Sequence, residues 1–465
     1  MKSFGKRLKS LVFGDRDINI KYELLRRYDF IHHSNIKIDA MSIIFFLGKW
    51  LPYSIAVGVA TGVIASLMDL FVVKINTFLS RDIILFFIYP IIVAIIAGAA
   101  IKRLPETSGP GIGFSILHLL RSNSYLRVKA MIYKLFVSIL ALSGGFVAGR
   151  EGPSFYLGIG LGEWIGRIYG FGKKYRNILG LIGGGAFTGA LLKAPLGSSI
   201  FAMELEKTYD FDYRPFMPMI VASITSYLTF SFFRGNHAFI QLSDKPVWDM
   251  SSIPFIVIMG LVIAGVIYIY TLFFHFSVKA SLLMPSGRRP VIGTLLGIPL
   301  MFGLYWIMQS TEILSAPANM HILTTMAEIQ FPISVDVGVI LMTILLTSLT
   351  LGFGIPGGLI LPVLIIGTSV GNIFGHIFPD QLLMFTLAGM GSALSAAAKT
   401  PLAAIVMITE MSHDDVVIPM TAAVITSYIA SFGYSLYLGQ ENVFKGNLRD
   451  FSSKQHTAQK DKGDS

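Results

Sequence analysis

The stretch VGVILMTILLTSLTLGFGIPGGLILPVLIIGTSVGNIFGHIFP, Val337 to Pro379, runs for 43 residues without an Asp, Glu, Lys or Arg. About 20 apolar residues carry a helix across the hydrocarbon of a bilayer. The stretch is therefore long enough for two crossings, yet its middle, Gly352 to Pro362, is filled with the glycine and proline that helix interiors avoid. Two apolar arms joined by a break in the helix is the reading that decides the fold.

Working outward, charge-free runs recur at Met250 to Val278, 29 residues, and Val416 to Gln440, 25 residues. Hydrophobic residues make up 53% of the 465-residue chain and charged ones only 14%, which excludes an ordinary water-soluble domain. The runs are continuously apolar instead of alternating, so they exclude a β-barrel and require helices, whose backbone groups pair internally. The fold class expected is an all-α polytopic membrane protein. The pattern predicts eleven spans between Lys49 and Leu438, with Ile178–Phe201 and Leu382–Met411 each read as a single span.

Residues 1–40 carry Lys2, Lys6, Arg7, Lys9, Arg16, Lys21, Arg26 and Arg27 without the apolar core of a signal peptide, and read as a basic cytoplasmic segment. A transmembrane domain is expected over 41–448, in halves of roughly 41–235 and 250–448, followed by a short polar tail, 449–465. The formal charge of +10 comes from residues at the ends and between spans, which is membrane-flank placement and not a nucleic-acid surface. With no cysteine and nine histidines out of ligand spacing, no metal site and no cofactor are expected. The setting implied is a bilayer, the inner membrane of a bacterium, with the N-terminus in the cytoplasm.

An internal repeat relates the two halves. Lys193-Ala-Pro-Leu with Glu204 matches Lys399-Thr-Pro-Leu with Glu410, and the common offset of 206 carries Gly152 onto Gly358. Matching breaks at Gly149–Pro153 and Ile355–Leu359 follow, and breaks at membrane depth survive only where protein or a water-filled path covers them. Whether the repeats are inverted is not visible in the spacing. Gly183 to Pro195 reads as a further break, whereas Gly158, Gly162 and Gly166 read as close helix packing.

Glu151, within Gly149-Arg150-Glu151-Gly152-Pro153, follows an apolar span directly. A carboxylate at membrane depth is a functional group by default. A helix that begins at such a break points unpaired N–H groups and about half a positive charge into the cavity, a ready anion site. Several such ends bind an anion without the tenacity of a fixed cation, which suits permeation.

These motifs together, Gly149 to Pro153, Gly357-Gly358-Leu359-Ile360-Leu361-Pro362 and the paired Pro-Leu-x7-Glu segments, resemble the CLC chloride channels and proton/chloride exchangers. The resemblance covers roughly Leu104 to Leu448. It implies two inverted helical repeats, a homodimer with one anion pore per subunit, and no room after Leu448 for appended regulatory modules. Glu151 matches the family's gating glutamate, the amides of Leu359 and Ile360 match the central anion site, and Pro110, Gly111, Ile112 and Gly358 fall in the anion-binding segments.

Three departures qualify it. Pro110 stands where the family usually has serine, as in plant members that accumulate nitrate. Phe444 is read as occupying the place of the family's tyrosine. Leu205 replaces the exchangers' inward proton-handling glutamate, with Glu206 as a possible substitute relay. Glu204 and Glu410, at matching places in the repeats, are expected to be structural. The reading drawn from these residues is transport of chloride, with nitrate a second anion, gated by Glu151 and passive or weakly coupled. Proton/chloride antiport is its alternative, and protons are then a second partner. An intramembrane enzyme is the remote reading, and no nucleophile or metal constellation supports it.

Overall fold

The computed structural model describes residues 50–121, 125–206, 213–308, 321–414 and 416–437. The basic segment 1–40, Phe444 and the tail 449–465 lie outside them. The chain divides into Met1–Pro52, of which only residues 50–52 are described, and Tyr53–Ser465. The architecture below is that of the second unit.

Among the described residues six helices are long and apolar enough to cross a bilayer: Trp50–Leu79, Ile84–Arg103, Pro215–Arg234, Met250–Leu282, Ile333–Thr350 and Pro379–Ala398. Large side chains such as Ile84, Phe232, Phe276 and Leu341 stand exposed on them, a surface that lipid accepts and water does not. The chain is an all-helical integral membrane protein. Between the long helices lie short ones, Ile112–Arg121, Pro195–Glu206, Ile360–Gly375 and Pro401–Ser412, of 10, 12, 16 and 12 residues. At about 1.5 Å per residue none reaches the ~30 Å of the hydrocarbon, so their ends stop inside the protein.

Two of the predicted single spans are in fact pairs. Ile178–Phe201 divides into Lys173–Leu192 and Pro195–Glu206, and Leu382–Met411 into Leu382–Ala398 and Pro401–Ser412. The cause is local: Lys193 and Lys399 take left-handed backbone angles, φ 54° and 59°, that end one helix, and Pro195 and Pro401 open the next. The break expected within Gly183 to Pro195 falls at its far end, Lys193–Pro195, and does not include Gly183–Gly185. Those glycines lie within a continuous helix, and a Cβ on Gly158 would overlap the Gly183 carbonyl where the two helices cross.

The halves meet at their matching breaks. Gly149 and Gly358 form an antiparallel bridge in which each N–H donates to the other's carbonyl, at 2.9 and 2.6 Å. The strands run oppositely through this pair, the local sense that inverted repeats require. The bridge and the helix starts at Glu151 and Ile360 have an offset of 209, where Lys193 and Lys399 have 206. The sequence register that laid Gly152 on Gly358 slips by three residues, since the helices between are shorter in the second half.

Glu204 and Glu410 repeat the symmetry. The Glu204 carboxylate accepts from Leu402 N at 3.2 Å and Ala403 N at 2.8 Å, and Glu410 accepts from Leu196 N at 3.1 Å and Gly197 N at 2.6 Å. Each caps the helix of the other half, where orphan amides and the positive end of the helix favour an anionic oxygen.

Two glycines of opposite setting test this packing. Gly158→Ala is expected to lower stability by about 1–3 kcal/mol through overpacking. Gly265, in the middle of Ile253–Leu282, has nothing within 4 Å of an added Cβ, so Gly265→Ala is expected to add up to ~1 kcal/mol through helix propensity. Thermal unfolding in detergent, with shifts of opposite sign, checks both.

Candidate anion site

Two helix starts face each other across the Gly149–Gly358 bridge. The helix Glu151–Ile168 has Arg150 at its N-cap and Ile360–Gly375 has Leu359, and neither N-cap side chain bonds the first amides. Those N–H groups are available to a ligand. The ligand present is the Glu151 side chain, 1% exposed, which accepts a hydrogen bond from Ile360 N. The amides of Leu361 and of Glu151 itself also lie against its carboxylate. An anionic oxygen held by backbone N–H groups at a helix start occupies the position a free anion would take. Gly358 makes room for it, since a Cβ there would overlap the carboxylate.

The third segment is Ser108–Gly111, ahead of Ile112–Arg121. Gly109 and Gly111 have φ of 63° and 88°, angles that L residues avoid. The loop is clamped from both sides. Gly109 N donates to Gly354 O at 3.0 Å, and the fully buried Lys134 donates to Gly109 O at 2.8 Å and Thr107 O at 3.2 Å. A cation thus stands directly behind the loop, its charge directed by carbonyl groups instead of a carboxylate.

A cavity of about 190 Å³ opens beside these segments, lined among others by Pro110, Gly111, Leu359, Phe274 and Tyr437. Of the residues singled out by sequence, Pro110, Gly111 and Leu359 thus line it, Gly358 and Ile360 hold Glu151, and Ile112 is buried at the start of its helix without lining the cavity. Leu205 is fully buried, so its position offers no titratable group. The side chain of Glu206, like Phe444, lies outside the described residues.

Three contributors escaped sequence reasoning. Tyr437 lines the cavity and is close enough to feel the Glu151 charge. It lies within the charge-free run ending at Gln440, seven positions before Phe444, and the aromatic at the end of that run was the available signal. Leu361 contributes only an amide, which no side chain announces. Lys134, in Lys129–Val147, was legible only as one cation in an apolar span.

A protein-family model described as "Voltage gated chloride channel" matches residues 93–431. An uncharacterized protein of Methanocaldococcus jannaschii is 26% identical over 387 residues, covering 82% of this chain and 92% of that protein. The H(+)/Cl(-) exchange transporter ClcA of Yersinia pestis is 27% identical over 354 residues, 72% of each chain. Among solved structures, a slow cyanobacterial Cl-/H+ antiporter superposes with a TM-score of 0.71 at 20% identity, over 86% of this chain and 99% of the other. A CLC-type fluoride/proton antiporter gives 0.75 at 20% identity, over 85% and 98%. These structural likenesses establish the fold, and the match over residues 93–431, most of the described helices, establishes the kinship: the chain belongs to the voltage-gated chloride channel, or CLC, family of anion transporters and is not an enzyme.

Proposed function

We propose that the chain exchanges small anions, chloride first, for protons, with Glu151 as the group both pass. The observation that carries this is the Glu151 carboxylate seated on the Ile360 amide at a helix start. An ionised carboxylate competes there with a permeating anion for the same N–H groups. A proton removes its charge, weakens that hold and releases the amides. One buried group thereby meets anion and proton in turn.

Exchange displaces the passive or weakly coupled flow expected from Leu205. The Yersinia relative is named an exchange transporter and two structural neighbours are antiporters, which supports coupling despite the missing glutamate. Passive flow keeps one specific observation, the fully buried apolar Leu205. A proton needs a side chain or ordered water to cross such a stretch.

The anion is bound by the backbone of Leu359 and Ile360 with the Tyr437 hydroxyl as donor, and Pro110 brings none. Working as a homodimer in a bacterial inner membrane, with the N-terminus cytoplasmic, belongs to the same proposal and is supported by the family resemblance and the basic segment 1–40.

In proteoliposomes at zero membrane potential and equal pH, an imposed chloride gradient is expected to drive protons uphill at a fixed ratio. Chloride flux with no proton movement would overturn exchange. Acid is expected to speed wild-type flux, and Glu151→Gln to abolish that pH dependence. If the full acid response survived in Glu151→Gln, the gate would be elsewhere. Selectivity follows from position 110: Pro110→Ser adds a hydroxyl beside the anion, which favours the more strongly hydrated chloride over nitrate. The shift expected in competitive flux is about 10-fold, the worth of ~1.4 kcal/mol from one added hydrogen bond.

A further inference from the structure

Outside the amide cradle, four charged side chains from four elements meet behind Glu151. Asp69, 6% exposed on Trp50–Leu79, accepts from Arg150 Nη1 with one carboxylate oxygen and from Arg234 Nε at 2.6 Å with the other. Arg150 is the N-cap residue of the Glu151 helix, and Arg234 ends Tyr213–Arg234. Lys193, 8% exposed, lies within electrostatic reach of Asp69, Arg150 and Arg234. Three cations thus surround a single carboxylate.

The repeat supplies an internal comparison. Lys399 holds the same left-handed position as Lys193, but its Nζ meets three oxygens, Ala396 O at 2.7 Å and Ser431 O and Oγ at 2.5 Å each, and sits over the Tyr434 ring at 4.5 Å. Its three N–H groups are matched, and among the described residues no carboxylate or arginine joins it. Lys193 Nζ has one close acceptor, His237 O at 2.6 Å, and a long one, Gly235 O at 3.5 Å. The same backbone device is saturated in one half and open in the other. Structural closure of a helix end explains the first and not the second.

Charge counting sharpens the difference. The C-termini of Lys173–Leu192 and Tyr213–Arg234 each offset about half a positive charge, and the N-terminus at Glu151 adds about half. With Asp69 and an ionised Glu151, which Arg150 also reaches, the cluster is close to balanced. Once Glu151 is neutral it carries an excess of roughly one to two positive charges, and a buried excess of that size requires a counter-ion. Glu410, the other nearby carboxylate, is committed to the amides of Leu196 and Gly197, and His237 can only add positive charge. Arg234, with its side chain 25% exposed, brings the group to the protein surface.

We infer that Arg150, Lys193 and Arg234, ordered around Asp69, form a capture site for a small monovalent anion at the approach to Glu151. It fills as Glu151 loses its charge. The inference rests on the reading of Glu151 as the gate. The site serves one face of the membrane only, because the second repeat has Lys399 without the arginines.

The test measures initial chloride uptake into proteoliposomes of the full chain against chloride concentration, from each face separately. Lys193→Met and Arg234→Gln are expected to raise half-saturation on one face about threefold or more. The other face and the maximal rate should stay within about twofold, and Lys193→Arg should restore the wild-type value. Unchanged half-saturation on both faces would overturn the capture site, as would a fall in maximal rate alone, the mark of a merely structural lysine. If neither variant is recovered folded, impermeant gluconate salt decides on the wild type. Screening should raise half-saturation on one face, and an identical response on both faces counts against the site. Loss of the gate is read separately: a retained acid response in Glu151→Gln removes that reading while the Lys193 comparison still reports capture.

Discussion

Two hydrogen bonds between Gly149 and Gly358 are the constraint on which the rest of the structure depends. A helix broken within a bilayer exposes backbone groups that lipid cannot satisfy, at several kcal/mol each. Here the two breaks satisfy one another. That mutual pairing lets both helices start in the protein interior, turns their first amides toward one point, and makes the point a property of the two halves jointly. A Cβ on either bridge glycine would overlap the Glu151 carboxylate, so Gly149 and Gly358 together leave room for it.

In the proposed function, anion recognition follows from geometry more than from side-chain chemistry. The amides of Ile360 and Leu361 present partial charges that are fixed in place and need no counter-charge. Full cations are kept one layer back: Lys134 behind the Ser108–Gly111 loop, bonded to carbonyls, and Arg150 beside Asp69. Placed at the amide cradle itself, such cations would bind the anion too firmly for turnover. At a distance they set the potential of the path without trapping what moves along it.

The helical class, the breaks and Glu151 were legible because they rest on composition and on residue types with few alternative uses. An apolar run of 43 residues, or a glutamate between glycines after a span, admits few readings. What was not legible depended on register and distance. The left-handed turns at Lys193 and Lys399 split two spans that hydropathy joins, because a lysine at a helix end looks like a lysine within one. Tyr437 was not singled out because nothing along the chain says that it folds back to the cavity. The leaning toward passive flow came from weighing one position, Leu205, while proton movement depends on every group and water along a route. The exchanging relatives carry more weight than one absent carboxylate.

The reciprocal caps have a consequence for biosynthesis. Glu204 and the amides it caps are 198 and 199 residues apart, and Glu410 and its amides 214 and 213. At translation rates of 5–20 residues per second, the first half waits roughly 10–40 s in the membrane before its partners emerge from the ribosome. During that interval the Pro195–Glu206 helix has no carboxylate at its start, and Glu204 has not met its amides. The nascent first half is thus a client for whatever in the membrane shelters polar groups, and final closure of the pore is a late, post-insertion event that no fragment of the chain can complete alone.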